Sequence, residues 1–423
     1  MSTPRAIEHP LLRRSRFLFV VPRFGDEIGG GAETLVGCLA KALSQHGIEV
    51  EVWATCAQDH RTWQNAYPAG RNSAHGVPVE RFTVDSRNLD LWVPLQLRIA
   101  DGVALTIDEE LTWMEQFVNS QALYAALQDR GAGFDAIFFA PYMFATTFWG
   151  AQIHPQRSYL IPCLHNEPYA YLQLMRVLFR TVRGCIFNAA AERVLAERIY
   201  GPLRGAEVGM GFHAECQVVS EGRPLAAPYL LYLGRKEGGK NLPLLARYFL
   251  AAKDGGLLPG DLRLVILGGG SLDDCGLGYL RTRDDIVDVP QAPEEDKRRY
   301  IEHAIALCQP SLNESFSIVL MEAWLRGTPV LVHGDCAVTT EHVAASCGGA
   351  YFRNFAEFVG AVLTLSEDGA LRSALGQRGR QYVVTKYSWD AVLDRFAGFM
   401  LAELSAPSSA MNEAAKETLA GEL

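Results

Sequence analysis

Short apolar runs alternate with amphipathic stretches along most of the chain. An apolar run at 16–22 is followed by a glycine turn at 29–31, an amphipathic helix predicted at 34–45 and a second apolar run at 48–54. Strand, turn, helix and strand form the βαβ unit, whose two strands are parallel. The same pattern predicts further strands at 79–84, 134–140, 158–163, 229–234, 262–267, 286–289, 304–309 and 328–332. The chain is therefore expected to be an α/β protein with doubly wound parallel sheets.

Length and turn residues predict two domains. A chain of 423 residues exceeds the usual size of one domain. Residues 217–228 contain Gly222, Pro224 and Pro228 and are typical of a linker. We therefore expect an N-terminal domain at 1–220 and a C-terminal domain at 221–386. The small, polar residues at 405–423 are expected to form a mobile tail.

Composition narrows the class of protein. The chain is 49% hydrophobic and 21% charged, as is usual for soluble globular proteins. Its net charge of −9 provides no global basic field, so no nucleic acid partner is expected. Nine cysteines are scattered without a Cys-x-x-Cys motif. This distribution argues against a zinc site or a disulfide framework and favours a reducing, cytoplasmic location.

One stretch needs to be tested as a membrane span. Residues 136–156 contain no Asp, Glu, Lys or Arg, and a spanning helix needs about 20 apolar residues. Pro141 and Pro155 lie within it, so a buried strand followed by a buried helix is the better prediction. Residues 1–14 lack the apolar segment of a signal peptide.

The most informative stretch places two carboxylates, Glu314 and Glu322, with seven residues between them. A helix that starts near Ser317 would hold Glu322 on one face and leave Glu314 in the loop before it. The backbone N–H groups of Ser315, Phe316 and Ser317 would then lie at a helix N-terminus, where anions bind. Two carboxylates for a sugar and a ribose, with N–H groups for a diphosphate, would suit a nucleotide sugar.

This stretch resembles the Glu-x7-Glu signature of retaining glycosyltransferases of the GT-B fold, a family 4-like group that includes sucrose synthases and many polysaccharide glycosyltransferases. The resemblance covers about 16–403. It implies two Rossmann-like domains that face each other across a cleft, a nucleoside-diphosphate sugar as donor, and a saccharide or lipid-linked acceptor in polysaccharide or glycoconjugate biosynthesis. Ser315 and Ser317 stand where many relatives have glycine, so the donor sugar stays open. The nucleobase, linkage and oligomeric state stay open too.

A basic loop follows the first strand of the C-terminal domain. Arg235 and Lys240 resemble the family's diphosphate clamp, where cations neutralise the charge that develops on the leaving phosphate. The chain has no evident Asp-x-Asp motif of metal-dependent sugar transferases. The resemblance therefore implies that no metal or other cofactor is needed, with both cations and the helix near Ser317 supplying the electrostatic stabilisation.

The N-terminal domain offers two candidate contacts with the donor. His165 follows the strand predicted at 158–163, at the edge where open α/β sheets bind ligands, and it matches the histidine that lines the family's donor-sugar site. A structural histidine is the alternative. Gly30 and Gly31 match the family's glycine loop beside the donor diphosphate, although a simple tight turn also explains them. The dinucleotide fingerprint is not met, because Thr34 stands at its last glycine position.

The resemblance assigns three further positions. Val289 and Pro290 would border the nucleobase, mainly through the backbone. A helix starting at Glu341 would face the site. The last helix, 387–404, would pack back against the N-terminal domain.

Arg176, Arg180 and Arg183 recur at helical spacing. They indicate either a solvated basic face or a surface that contacts an anionic lipid-linked acceptor or the inner face of the membrane.

Four other functions remain to be weighed. A UDP-sugar 2-epimerase would need an acid/base set that the sequence does not reveal. An inactive nucleotide-sugar sensor or scaffold would not need four charges along a cleft. A two-carboxylate glycosidase would need one carboxyl in an apolar environment. A hydride-transferring enzyme is disfavoured, because both glycine runs lack the fingerprint.

Overall fold

The computed structural model describes residues 6–213 and 222–406, which form two α/β domains. The strands of the N-terminal domain are β1 Arg16–Val21, β2 Glu49–Thr55, β3 Gly70–Ala74, β4 Val77–Phe82, β5 Ala136–Phe139, β6 Ser158–Leu160, β7 Gly184–Phe187 and β8 Gly205–Glu207. They lie in the order β3-β4-β2-β1-β5-β6-β7-β8. All neighbours are parallel except β3 and β4, which are antiparallel.

Helices cover both faces of this sheet. They are α1 Pro10–Arg13, α2 Gly31–Gln45, α3 Leu89–Ala100, α4 Ile107–Glu115, α5 Gln121–Arg130, α6 Ala145–Ala151, α7 Gln173–Thr181 and α8 Ala190–Tyr200. The stretch at 136–156 is thus a buried strand followed by a short helix, as predicted. Within the described residues, no helix is both long and apolar enough to cross a membrane.

The C-terminal domain has a fully parallel sheet in the order β11-β10-β9-β12-β13-β14. Its strands are β9 Tyr229–Leu233, β10 Arg263–Leu267, β11 Ile286–Val289, β12 Leu307–Gln309, β13 Val330–His333 and β14 Gly349–Phe352. The helices of the remaining chain are α9 Leu242–Asp254, α10 Glu294–Glu302, α11 Ile318–Leu325, α12 Ala337–Ser346, α13 Phe355–Glu367, α14 Gly369–Lys386 and α15 Trp389–Ser405. The predicted two-domain α/β architecture is confirmed.

The apolar strands are buried on both faces. In β1, Phe17, Phe19 and Val21 join one apolar cluster, whereas Leu18 and Val20 join another on the opposite face. Alternate side chains of a strand point to opposite faces, so an uninterrupted apolar run is expected where helices cover both.

The last helix, α15, packs against the N-terminal domain. Phe396 lies 6.0 Å from Phe17 and 5.5 Å from Phe138, ring centre to ring centre. The buried carboxylate of Glu403 accepts hydrogen bonds from Arg183 at 2.9 Å and Arg204 at 2.5 Å. Because a buried carboxylate is costly without cations, these pairs fix the helix against the sheet.

Two expectations about the chain are wrong. Arg183 lies beyond the end of α7, and its side chain is mostly buried against Glu403. The exposed basic face is therefore reduced to Arg176 and Arg180. The helix expected to start at Glu341 begins at Ala337, so Glu341 lies in its second turn. Residues 217–221 of the predicted linker and residues 407–423 of the predicted tail lie outside the described residues.

Helix α14 contacts the turn after α11 through glycine. A Cβ atom added at Gly376 would lie 1.7 Å from the carbonyl oxygen of Gly327. We expect Gly376→Ala to lower the free energy of unfolding by about 1–3 kcal/mol, because the backbone must shift. Urea unfolding measures this. The control is Gly360→Ala in α13, where a Cβ meets nothing within 4 Å; it should be neutral or stabilise by up to about 1 kcal/mol. Equal stability of the two variants would contradict the packing argument.

Candidate functional site

The carboxyl ends of strands from both sheets border a cavity of about 790 Å³ between the domains. The N-terminal domain contributes the loop after β6 and the start of α8. The C-terminal domain contributes the loop after β12 and the start of α12. The residues that line this cavity include His165, Ala191, Glu192, Glu314 and Glu341. Open α/β sheets bind ligands at this edge.

Lys240 and Glu314 form an ion pair at this cavity. The Lys240 Nζ lies 2.8 Å from Glu314 Oε1, and the Glu314 side chain is only 9% exposed. Gln309 donates a second hydrogen bond to the same oxygen at 3.3 Å. The loops after β9 and β12 meet here because those strands are neighbours in the sheet. The structure thus brings together one predicted cation and one predicted carboxylate.

Arg235 lies in the loop between β9 and α9, on the side that faces the N-terminal domain. Its guanidinium pairs with Glu237 at 3.0 Å and remains 47% exposed. Burial lowers the pKa of His60, and the nearby charges of Arg23 and Arg235 lower it further. A second-domain arginine therefore lies near Arg23 and His60 of the first domain.

The N-terminus of α11 is open. Ser317 caps it in the left-handed conformation, with φ of 68°, and its side chain makes no capping hydrogen bond. The backbone N–H groups of 315–317 donate no hydrogen bond within the part of the chain that the structure describes. These N–H groups are therefore available to a ligand at the helix terminus where the sequence predicts an anion.

Ser315 reaches across to the N-terminal domain. Burial and the charge of Glu192 raise the pKa of the Cys163 thiol, and contacts from Asn188 and Ser315 oppose that shift. The Ser315 side chain therefore lies against Cys163 in the loop after β6, in contact with the opposite domain.

Phe316 has a structural side chain. Its ring is buried and lies 5.0 Å from Tyr387, 5.5 Å from His342 and 6.2 Å from Phe212. Only its backbone is available to a ligand. The assignment of Phe316 to the donor site therefore applies to its N–H group, because the ring packs in an aromatic cluster behind the loop.

Glu322 lines a second interdomain cavity of about 550 Å³. Its Oε1 accepts a hydrogen bond from Lys297 Nζ at 2.9 Å. Burial lowers the pKa of Lys297, but the charges of Glu322 and Glu294 outweigh that effect and raise it overall. The two carboxylates of the signature thus lie in separate cavities on either side of the α11 N-terminus, each paired with a lysine.

His165 lines the larger cavity, and its Nδ1 lies 3.6 Å from Glu167 Oε1. The side chain remains 30% exposed. Beneath it, the fully buried Glu192 accepts hydrogen bonds from the backbone N–H groups of Leu164 at 2.7 Å and Asn188 at 2.5 Å. Glu192 therefore holds the loop that presents His165. Sequence analysis missed it, because a glutamate in the first turn of a helix is common.

The glycine loop lies at the N-terminus of α2. Gly30 caps the helix and Gly31 is its first residue, three positions earlier than predicted. Beside them, Arg23 donates to Glu33 Oε1 at 2.6 Å, and both side chains are nearly buried. This pair could not be predicted from the sequence.

Val289 ends β11 and borders a third cavity of about 370 Å³, and the exposed Pro290 follows it. This cavity adjoins the start of α10. The position is compatible with a nucleobase that lies against the backbone of this loop.

Glu341 provides a contact between the domains. Its Oε2 accepts a hydrogen bond from the Ala191 N–H at 2.6 Å. Helix α8 lacks a capping side chain of its own, so a carboxylate from the opposite domain caps it.

No group of three or more potential metal ligands occurs within 6–213 and 222–406.

The buried Glu192 makes stability depend on pH. Burial raises the pKa of its carboxyl from 4.5 to about 7, an effect that hydrogen bonds from Asn188 and Leu164 partly offset. Between these pH values the unfolded chain loses its proton while the folded chain keeps it, so the folded state loses relative stability as pH rises to about 7. The free energy of unfolding of wild type relative to Glu192→Gln should fall by roughly 3 kcal/mol from pH 4.5 to 8.

Urea unfolding across this pH range measures the difference. Glu197→Gln provides the matched control, since Glu197 lies on the same helix but is 35% exposed. The difference in free energy of unfolding between this control and wild type should stay nearly constant across the same pH range. A flat profile for Glu192→Gln would mean that Glu192 titrates alike in the folded and unfolded chains.

Comparison with known proteins agrees with this geometry. Residues 217–382 match the family model described as glycosyl transferases group 1. This match covers less than half of the chain and coincides with the domain that holds Lys240, Glu314 and Glu322.

Solved structures match almost the whole chain. Sucrose-phosphate synthase from Thermosynechococcus elongatus has 15% identity and a TM-score of 0.70, over 93% of this chain and 100% of that one. Anabaena Alr3699/HepE, in complex with UDP and glucose, has 14% identity and a TM-score of 0.67, over 92% and 100%. An alpha,alpha-trehalose-phosphate synthase (UDP-forming) from Burkholderia vietnamiensis has 13% identity and a TM-score of 0.63, over 92% and 99%.

At such identities the structural likeness establishes the fold alone. The family model adds a match over residues 217–382 alone. The chain therefore has the GT-B fold, and its residues 217–382 are similar to the glycosyl transferases group 1 family.

Proposed function

We propose that this protein is a retaining glycosyltransferase of the Glu-x7-Glu type, which moves a sugar from a nucleoside diphosphate to an acceptor hydroxyl without a metal ion. The acceptor would be a saccharide or a lipid-linked saccharide in polysaccharide or glycoconjugate biosynthesis. The observation that carries the proposal is the Lys240–Glu314 ion pair, whose carboxylate lines an interdomain cavity beside the open N-terminus of α11.

The donor would span the two cavities. Its diphosphate would lie against the N–H groups of 315–317, where the helix terminus favours negative charge. Lys240 and Arg235 would neutralise it further. The sugar would enter the larger cavity beside Glu314 and His165, and the ribose would enter the smaller one beside Glu322. The nucleobase would then approach Val289.

The transfer needs only stabilisation of charge and correct positioning. The bond between the anomeric carbon and the phosphate oxygen breaks, and the acceptor oxygen bonds to the same face of that carbon. The acceptor proton passes to the leaving phosphate. Cations aimed at that phosphate lower the barrier, because negative charge develops there in the transition state. No protein group is needed as the base, so His165 is assigned to sugar binding.

A donor screen tests this function. The full chain is incubated with UDP-, GDP-, ADP- and dTDP-sugars, and nucleoside diphosphate release is measured with and without sugar acceptors. UDP-sugars come first, because the Anabaena protein was solved with UDP. We expect turnover of at least one donor, unchanged by EDTA, and a product with the donor's anomeric configuration by NMR. Binding without turnover would instead favour a sensor, and an inverted product would contradict the retaining mechanism.

Two substitutions should separate the roles of the signature residues. Lys240→Ala should lower kcat by about 10²–10³-fold with little change in KM, because it removes a cation that stabilises transition-state charge. Glu322→Ala should raise the donor KM by about tenfold or more, because it removes a charged hydrogen-bond acceptor of the ribose. Arg378→Ala, an exposed position on α14, is the control and should leave both constants unchanged. Wild-type kinetics in both site variants would rule out this assignment.

A further inference from the structure

Lys297 projects from α10 into the smaller interdomain cavity. Its Nζ lies 2.9 Å from Glu322 Oε1 and 3.0 Å from Glu294 Oε2. The side chain is 21% exposed, so the ammonium is sheltered but still reachable from the cavity. Neither the basic loop after β9 nor the signature at 314–322 contains this residue.

The Lys297–Glu322 pair retains unused hydrogen-bonding capacity. An ammonium has three N–H donors, and two are directed at Glu322 and Glu294. Within the described residues, Oε2 of Glu322 accepts no hydrogen bond, since the only bond to this carboxylate ends on Oε1. One donor and one acceptor are therefore left side by side.

This combination is complementary to a vicinal diol. One hydroxyl can donate to Glu322 Oε2 while its neighbour accepts from Lys297 Nζ. The pair lies one helical turn beyond the open N-terminus of α11. A diphosphate at that terminus would place its ribose, which carries two vicinal hydroxyls, over the pair.

We propose that Lys297 is a specificity-determining residue, which together with Glu322 recognises the ribose diol of the donor and rejects 2′-deoxyribonucleotides. This inference rests on the proposed function of the same cleft. Its physical basis is that a site built to bond a hydroxyl discriminates against ligands that lack it, because its own polar groups are then left unpaired.

Calorimetric titration of the full chain tests the inference. UDP, GDP and ADP are each compared with their 2′-deoxy counterparts, and the ratio of the two Kd values is the readout. In wild type, we expect at least one ribonucleotide to bind roughly tenfold more tightly than its 2′-deoxy form. Lys297→Met keeps the length of the side chain but removes the ammonium, and its ratio should fall close to one.

Two further variants make the test specific. Lys297→Gln keeps a polar group without the charge and should also reduce the ratio, by about fivefold. It serves as the test should the methionine variant fail to fold. Lys253→Met removes the same charge at the far end of α9, where the ammonium donates to the carbonyl oxygens of Pro259 and Gly260. This control should keep the wild-type ratio.

The results that would refute the role of Lys297 differ from the result that would refute the proposed function. If wild type binds nucleoside diphosphates and a folded Lys297 variant keeps the wild-type ratio, the role of Lys297 is refuted while the proposed function stands. Equal weakening of the ribo and deoxy forms would also refute it, since Lys297 would then act on another part of the ligand. If none of the nucleoside diphosphates binds wild type, the proposed function fails and this inference fails with it.

Discussion

The ion pair between Lys240 and Glu314 is the interaction on which the site depends. It joins the loops after β9 and β12, two neighbouring strands, at the edge of the sheet that faces the cleft. Glu314 is nearly buried, so its charge needs a cation, and Lys240 supplies one. In the proposed reaction, a cation that is already in place beside the leaving phosphate would need no reorganisation when negative charge develops there.

The position of α11 depends on a second constraint, the burial of Phe316. Its ring is held by Tyr387 and His342, and Ser317 takes a left-handed backbone conformation directly after it. That conformation is unfavourable for a residue with a side chain, and the buried ring before it fixes the turn. The N–H groups at the start of α11 are therefore held towards the cleft. Phe212 also donates its N–H to the Tyr387 carbonyl, so the same cluster joins the loop before α11 to the connection between the domains.

Much of this arrangement follows from local sequence. Strands buried on both faces are recognisable as apolar runs, and neighbouring parallel strands end at one edge, so Lys240 and Glu314 could be predicted to lie in one cleft. Contacts between distant segments could not be predicted. Lys297 and Glu322 belong to different helices, and Ala191 and Glu341 to different domains. Such pairs are decided by tertiary packing and leave no periodic pattern. Arg183 is the opposite case, in which a sequence pattern misleads. Its spacing from Arg176 and Arg180 predicts one helix face, but α7 ends at Thr181.

The contacts between the domains differ at the two ends of the cleft. We call the end beside α15 the hinge, and the end where Glu341 meets Ala191 the mouth. On the hinge side, a continuous apolar cluster and the buried Glu403 bind α15 to the N-terminal sheet. At the mouth, the domains share the Ala191–Glu341 hydrogen bond and a 3.6 Å ion pair between the exposed side chains of Arg61 and Asp274. A surface ion pair contributes at most about 1 kcal/mol, and a hydrogen bond to a carboxylate contributes about 1.5–3 kcal/mol. These two contacts are therefore weaker than the packing that holds α15, and under the proposed function a donor would enter the cleft from this side.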